Sequence, residues 1–131
     1  AANAIDGSAS TSYSSNFAGS ASPNYGWAWL AAWLSAGQTV NTVVLTARAL
    51  DDRPQAFPPS YDIYLTAPDN SAWNYIGHYT TQPTSPSWKV VLPLGANYWT
   101  YGVVVIPTEL GADDYGGHYL QLAEIQLGFA N

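Results

Sequence analysis

The feature that most constrains this chain is its hydrophobic period. Apolar residues recur at every second position in short runs, and no stretch of about a dozen residues repeats with helical spacing. In the run at 60–67, for example, Tyr61, Ile63 and Leu65 alternate with Asp62 and other more polar neighbours. Nine prolines lie almost entirely between such runs, where they interrupt no strand pairing. The pattern predicts strands joined by turns.

Further strands are predicted at 38–48, 73–81, 88–92, 98–106 and 118–128, and the apolar run at 27–34 (WAWLAAWL) is also interpreted as a strand. The turn cluster at 68–71 predicts a hairpin, followed by a strand on which Trp73, Tyr75, Gly77 and Tyr79 share one face. This arrangement predicts an all-β fold, an antiparallel β-sandwich or jelly roll of about eight strands. A length of 131 residues fits one domain, residues 1–131.

Charge and composition exclude several classes of function. Nine acidic residues against three basic ones give a net charge of −6, which repels phosphate backbones, so no nucleic-acid partner is expected. No apolar run approaches the about 20 residues that cross a bilayer, so no membrane span is expected. Only 9% of residues are charged, and a surface of hydroxyl, amide and tyrosyl groups suits neutral polyhydroxylated ligands.

Catalysis is not expected. The chain has no cysteine, which excludes thiol nucleophiles and zinc–thiolate sites, and it has no nucleophile elbow, phosphate loop or histidine-rich metal motif. A glycoside hydrolase needs two facing carboxylates, and the candidate acids lie in short polar loops that predict no deep cleft: Asp51, Asp52, Glu109, Asp113 and Asp114. We therefore expect a binding module, not an enzyme.

Five segments, in their order and spacing, resemble one family. They are 4–11 (AIDGSAST, similar to an A-x-D-G-x-x-x-T loop), 29–37 (W-x-x-x-x-L-x-x-G), 43–48 (VVLTAR), 61–64 (YDIY, before a turn and Trp73) and 122–128 (LAEIQLG). Together they resemble the discoidin or coagulation-factor type C domains, and most of all the bacterial family 32 carbohydrate-binding modules. Three features depart from that pattern: only three residues precede the first loop, Tyr13 stands where a Trp is usual, and the Cys pair of the animal members is absent.

The loop at 48–55 (RALDDRPQ) is the first candidate binding element. It holds two of the three cationic residues, Arg48 and Arg53, beside Asp51 and Asp52. A guanidinium and a carboxylate can each bind a pair of neighbouring hydroxyls, as sugar recognition requires. The alternative is a salt bridge within the loop that only stiffens it. The resemblance favours Arg48 as a ligand-binding residue.

Aromatic residues in loops are the second candidate. Tyr25 and Tyr115 can stack on the C–H face of a pyranose, and His118 can exchange a hydrogen bond with a hydroxyl or be an ordinary structural histidine. The tryptophans in strand-like runs are instead expected to pack in the core or on the sheets: Trp29, Trp33, Trp73, Trp88 and Trp99. The predicted ligand site is therefore Arg48, Asp52, Tyr25, Tyr115 and His118.

A cation site is the third candidate. Asp6 and its neighbouring oxygens suit a hard cation, but the loop is not an EF-hand because its twelfth position is Phe17. The resemblance implies a structural calcium held by the side chains of Asp6, Thr11 and Glu124 and by carbonyls near Asn3, Ser8 and Ala123. The alternative is that Asp6-Gly7 is only a turn and Glu124 an edge-strand acid.

Taken with the resemblance, these residues predict a non-catalytic module that binds a sugar of the galactose, N-acetylglucosamine or glucosamine type through loops at one rim. We expect it to be secreted and extracellular, and to be a monomer tethered to the catalytic domain of a longer glycoside-active parent. The alternative is a cell-surface adhesion module that binds protein or lipid through the same loops.

Overall fold

The computed structural model describes Tyr13–Ser14, Gly26 and residues 28–130. Strands make up most of this part of the chain, and it contains no helix. The strands are β1 (Tyr13–Ser14), β2 (Leu30–Thr46), β3 (Arg48–Leu50), β4 (Arg53–Gln55), β5 (Ser60–Thr66), β6 (Trp73–Tyr79), β7 (Lys89–Glu109), β8 (Gly111–Ala112), β9 (His118–Tyr119), β10 (Gln121–Leu122) and β11 (Glu124–Gly128).

Five of these strands form the main sheet, in the order β11-β2-β7-β5-β6, and every neighbouring pair is antiparallel. Three short antiparallel pairs complete the strand pairing: β1 with β10, β3 with β4, and β8 with β9. The predicted all-β antiparallel sandwich is confirmed. In the described residues there is no helix of the length and hydropathy needed to cross a membrane.

Two long strands, β2 and β7, each join two of the predicted runs. Their pairing register shifts twice, between Trp33 and Gln38 and between Val40 and Thr42. On β7 the second shift coincides with a bulge around Gly95, whose φ of +82° is favourable only for glycine. The sequence therefore showed the breaks between runs, but the backbone continues through them as irregular strand.

The core is built from the inward positions of the alternating strands. On β5, Tyr61, Ile63 and Leu65 are almost completely buried, and the Tyr61 hydroxyl donates to the carbonyl of Thr81 at 2.9 Å. They belong to one hydrophobic cluster with residues of β2, β7, β10 and β11, including Leu30, Val43, Leu45, Val90, Leu92, Val103, Val105, Leu122 and Ile125. Burial of this apolar surface is the main stabilising contribution.

The tryptophans take both predicted positions, the core and the sheet surface, but mostly the second. Leu30 and Ala32 face the core, so the period of two turns Trp29 and Trp33 outward, each with more than half of its surface exposed. Trp73 and Trp99 are exposed as well, whereas Trp88 is partly buried against the core. Core packing is excluded for Trp29, Trp33, Trp73 and Trp99, and the other predicted position, on the sheet, holds: Trp33 and Trp99 lie against the strand glycines Gly102 and Gly37. Strand register, and not hydrophobicity, decides which face a residue occupies.

The predicted hairpin at 68–71 joins β5 to β6. Its turn is closed by the Ala67 amide donating to the carbonyl of Ala72 at 2.8 Å. A register shift then places Ile63 opposite Gly77 but Tyr64 opposite Tyr75, which leaves Ile76 as an extra residue. Trp73 and Tyr75 are consequently exposed while Tyr79 packs against the core, so the prediction of one shared face is wrong.

Candidate functional site

The predicted binding loop at 48–55 is a tight hairpin formed by β3 and β4. Arg48 pairs with Gln55 and Leu50 with Arg53, which leaves Asp51 and Asp52 as a two-residue turn. Both turn residues have positive φ, 53° and 58°, as the first and second positions of a type I′ turn require. Aspartate tolerates this conformation better than most residues, so the Asp-Asp pair is a local signal for the turn.

A second hairpin, β8 with β9, lies against the first. The Arg53 guanidinium forms an ion pair with Asp114 at 2.8 Å, and the Asp114 amide donates to Oε1 of Gln55 at 2.8 Å. The Ala56 amide donates to the carbonyl of Ala112 at 3.1 Å. These three contacts bring the two hairpins together at one end of the sandwich, which we call the rim (residues 48–56 and 111–121).

The tip of the second hairpin presents Tyr115 to solvent. Oδ1 of Asp113 accepts hydrogen bonds from the amides of Tyr115 and Gly117, both at 2.9 Å. Gly116 has a φ of +81° and lets the chain reverse between them. The backbone of the tip is therefore held by its own aspartate, while the Tyr115 ring is 88% exposed. A ring presented in this way is available for stacking.

The guanidinium of Arg48 lies at the base of the rim. It donates from Nη1 to Oε1 of Gln121 at 3.0 Å and is partly exposed, which leaves further N–H groups of its five donors for a ligand. His118, on β9 opposite Ala112, is also partly exposed. The buried Gln121 carboxamide thus orients the cation, a role that neither its residue type nor its position in the sequence indicated.

Asp52 is oriented by a third segment. Its Oδ1 accepts a hydrogen bond from Nε1 of Trp88 at 3.1 Å, and the carbonyl of Trp88 accepts one from the Ala47 amide at 2.9 Å. The alternative of a salt bridge within the loop is not observed: the Arg53 guanidinium pairs with the other hairpin, and Arg48 and Asp52 each bond an uncharged side chain.

Backbone strain is concentrated in the same place. Of the five non-glycine residues with positive φ in the described chain, Asp51, Asp52 and Ala56 lie on the first hairpin, and Trp88 is bonded to it. Each such conformation costs on the order of 1 kcal/mol or more for a residue other than Gly, Asn or Asp. Strain of this kind is common where a binding surface imposes the backbone geometry.

The structure thus carries four of the five predicted ligand residues on the adjoining hairpins of the rim: Arg48 and Asp52 on one, Tyr115 and His118 on the other. Tyr25 lies outside the described residues. Gln55 and Gln121, which link the hairpins, were not predicted. Both are buried amides. Buried polar side chains need hydrogen-bond partners, but which polar residues are buried becomes known only from the tertiary structure.

Most of the predicted calcium ligands, namely Asn3, Asp6, Ser8 and Thr11, lie outside the described residues. Glu124 is 6% exposed and stands opposite Thr46, whose carbonyl accepts the Ala123 amide at 2.8 Å. No cluster of three or more acidic or histidine side chains suited to a metal occurs within the described part of the chain. Of the predicted ligand side chains Asp6, Thr11 and Glu124, the structure describes Glu124, and its carboxylate is an oxygen ligand of the kind that calcium takes.

Solved structures of other proteins share this fold, although the sequence itself has no match. No family model matches the sequence, and no curated protein sequence matches it. Among solved structures, a variant of chitosan-binding module 1 from a Paenibacillus sp. IK-5 chitosanase/glucanase matches with a TM-score of 0.68 at 22% identity, covering 96% of this chain and 81% of that one.

The family 32 carbohydrate-binding module of Clostridium perfringens NanJ, solved with galactose, matches with a TM-score of 0.70 at 16% identity over 95% of this chain and 81% of that one. An F5/8 type C domain from Bacteroides fragilis matches with a TM-score of 0.67 at 17% identity over 96% and 78% of the two chains. The fold is therefore the β-sandwich of family 32 carbohydrate-binding modules and F5/8 type C domains, as the resemblance predicted.

Proposed function

We propose that this chain is a non-catalytic carbohydrate-binding module that holds a sugar at the rim. The observation that carries the proposal is the tip of the β8–β9 hairpin, where Asp113 fixes the backbone and Tyr115 is presented to solvent beside a strained, hydrogen-bonded neighbouring hairpin. A flat aromatic ring next to oriented polar groups is the arrangement that binds a pyranose, whose faces are apolar and whose edges carry hydroxyls.

Each rim residue has a role in this proposal. Tyr115 stacks on the sugar ring, and Arg48 donates to hydroxyl oxygens from the N–H groups that Gln121 does not use. Asp52 accepts from a hydroxyl or an amine, and His118 donates or accepts at the ring edge. Tyr25, which lies outside the described residues, stays a predicted second aromatic residue of the site. The acidic residues of the two hairpin tips favour a neutral or amine-bearing sugar over a uronate.

The proposed biological role is targeting. A monosaccharide of about a dozen heavy atoms at about 0.3–0.4 kcal/mol per atom binds with about −4 to −5 kcal/mol, a Kd on the order of a millimolar to a few hundred micromolar. Such weak binding is useful when the module tethers a secreted, glycoside-active parent enzyme to its substrate, where effective concentration raises avidity. Fold relatives that are named as parts of a chitosanase/glucanase support this role.

Absence of hydrolysis is part of the proposal. Two of the rim carboxylates already have partners: Asp52 accepts from Trp88, and Asp114 pairs with Arg53. The isolated chain should release no reducing sugar from any polysaccharide that it binds. Turnover that is lost in an Asp52→Ala or Asp113→Ala variant would show that the rim is an active site.

The rim is tested by a glycan array followed by calorimetric titration of the best monosaccharide. Arg48→Ala should weaken binding by about 1–3 kcal/mol because charged hydrogen bonds are lost, and Tyr115→Ala should weaken it through lost stacking. Lys89→Ala, which removes the third cation of the chain from the exposed surface of β7, is the matched control and should bind like wild type. Wild-type affinity in both rim variants would contradict the proposal and favour the adhesion alternative.

Calcium remains a proposed cofactor, held by Asp6, Thr11 and Glu124 with nearby carbonyls. When bound, it would supply positive charge to the buried Glu124 carboxylate and tie the start of β11 to the chain's first loop. Because a ligand of the native state stabilises by mass action, added calcium should raise the Tm of metal-free protein, and Glu124→Gln should abolish that rise. A Tm indifferent to both calcium and chelator would contradict the site.

A further inference from the structure

The sheet carries a second surface of unusual composition, on the side of β2, β7, β5 and β6 that faces away from the core. Its exposed or half-exposed rings are Trp29, Trp33, Tyr64, Trp73 and Tyr75, which we call the outer aromatic face. The rings contact one another in pairs: the centroids of Trp33 and Trp73 are 5.1 Å apart, and those of Tyr64 and Tyr75 are 5.5 Å apart. Large aromatic residues clustered on a surface mark an interaction site.

One glycine of the sheet makes room for a ring of this face. Gly102 of β7 pairs with Trp33 of β2, and a Cβ at Gly102 would lie 3.0 Å from Cε3 of Trp33. The missing side chain lets the indole rest against the sheet while more than half of the Trp33 surface stays exposed. A large ring packed on backbone with its opposite face free is preorganised for stacking.

The centre of the face is a shallow hollow of about 250 Å³. Val104 and Ile106 of β7 form its floor, and Trp29, Tyr64 and Trp73 form its walls. This volume is of the size of a single sugar ring. The indole N–H groups of the face tryptophans donate to no other residue in the described part of the chain, so they are available to hydroxyl oxygens at the ring edges.

The charges near the face favour a neutral or cationic occupant. None of the chain's three cations lies on it: Arg48 and Arg53 are on the β3–β4 hairpin, and Lys89 pairs with Thr46. Its polar edge is an acid, Asp62, which bonds His78 at 2.7 Å next to Ile106. Without Lys or Arg the face offers nothing to anionic lipid, and a net charge of −6 opposes a second copy.

We infer that the outer aromatic face is a second carbohydrate site, which stacks the pyranose rings of a neutral or amine-bearing polysaccharide chain. The rings supply stacking planes, the indole N–H groups supply hydrogen bonds, and the negative charge of the protein favours ammonium groups, which tryptophan faces also attract. A chain that lies on the sheet differs from a single sugar held at the rim, so this site does not depend on the rim.

The test is a binding isotherm on insoluble chitosan and on a neutral insoluble β-glucan, with polygalacturonate and phosphatidylserine vesicles as anionic comparisons. Trp29→Ala, just before β2, and Tyr75→Ala, on β6, change two separate exposed rings, and each should weaken binding to one of the first two polymers by about tenfold. Trp29→Phe should restore most of the affinity. Phe129→Ala, which removes a ring of matched exposure (53% against 55% for Trp29) outside the face, should bind like wild type.

Each outcome of this test either supports or overturns the inference. Three results would each overturn the inference. The first is that the face variants bind both polymers as wild type does, and the second is that the protein prefers vesicles or polygalacturonate. The third is that wild type forms a dimer in the ultracentrifuge and Trp29→Ala dissociates it. Failure here is distinct from failure at the rim, because Trp29→Ala and Tyr75→Ala should leave the monosaccharide titration unchanged, whereas Arg48→Ala and Tyr115→Ala should change it.

Discussion

The rim and the outer aromatic face are two exposed regions of one sandwich, and they differ in which groups they offer a ligand and in how the backbone holds those groups. The rim consists of two hairpins whose tips are turned by Asp and Gly residues at positive φ and whose side chains are oriented by hydrogen bonds to distant residues, such as Arg48 to Gln121. The face consists of regular strands whose outward side chains are large rings, with space supplied by Gly102. Polar side chains held in fixed orientations suit the selection of one sugar, and a broad surface of aromatic rings suits weak contacts along a polymer.

The difference also concerns stability. Rings at the face pack on the sheet from outside, while the aliphatic side chains on the other side of the same strands form the core. Truncating a core side chain should therefore cost much stability, whereas truncating a ring of the outer aromatic face should cost little stability and weaken binding. Paired substitutions on the core side, on the outer aromatic face and at the rim separate these cases.

The largest effect is expected on the inner side of β5. Leu65→Ala removes an almost completely buried side chain and should lower the free energy of unfolding by about 2–5 kcal/mol. Tyr75→Ala, on the outer face of the neighbouring strand, should cost about 1 kcal/mol, because only part of its ring is covered. Urea denaturation measures both. Equal losses would mean that the face is part of the core and not a binding surface.

Two glycines give the next comparison. Gly102→Ala places a Cβ 2.8 Å from the carbonyl oxygen of Ala32 and 3.0 Å from Trp33, so it should cost about 1–3 kcal/mol and displace the indole. Gly116→Ala meets no atom within 4 Å but forces alanine to a φ of +81°, which should cost about 1–2 kcal/mol.

Tryptophan fluorescence distinguishes the two glycine variants beyond their Tm values. Gly102→Ala should shift the emission spectrum because Trp33 moves, and it should weaken polymer binding. Gly116→Ala should leave the spectrum unchanged and weaken the monosaccharide titration instead. A Gly102→Ala variant with a wild-type spectrum would show that Trp33 does not depend on this glycine for its position.

The smallest effect concerns alkaline pH. Burial, and secondarily the nearby Tyr79, raises the pKa of Tyr61 well above its ordinary value, and burial also raises the pKa of Tyr79. The native state therefore holds protons that the unfolded chain releases. Stability should be complete below about pH 10 and should fall above it, by up to about 1.4 kcal/mol per pH unit for Tyr61, with Tyr79 acting in the same direction.

Unfolding curves between neutral pH and pH 11 measure this slope. Tyr61→Phe should reduce it, at a cost near neutral pH of about 1 kcal/mol for the lost hydrogen bond to the Thr81 carbonyl. Tyr115→Phe, an exposed rim tyrosine, is the control and should keep the full slope. An unchanged slope in Tyr61→Phe would assign the alkaline loss to other groups.

Much of the fold could be predicted from the sequence because its signals are local. Alternation placed Tyr61, Ile63 and Leu65 on the core side, and the cluster at 68–71 predicted the hairpin that follows. Loop position correctly predicted an exposed Tyr115. The outward tryptophans could not be predicted from hydrophobicity, because Trp29 and Trp33 differ from core residues only in strand phase, which a single bulge reverses.

By itself, the sequence determined the class of architecture, the tight Asp51-Asp52 turn and the acidic, cation-poor character of the molecule, because each depends on residue type and near neighbours. Only the tertiary structure decided that Gln121 orients Arg48 from 73 positions away and that Trp88 orients Asp52 from 36 positions away. It also decided that the rings of Trp29, Trp33, Tyr64, Trp73 and Tyr75 lie on one outer face of the sheet. The physical reason is that hydrogen bonds and ring contacts depend on distance in space, which pairing register sets and local composition does not.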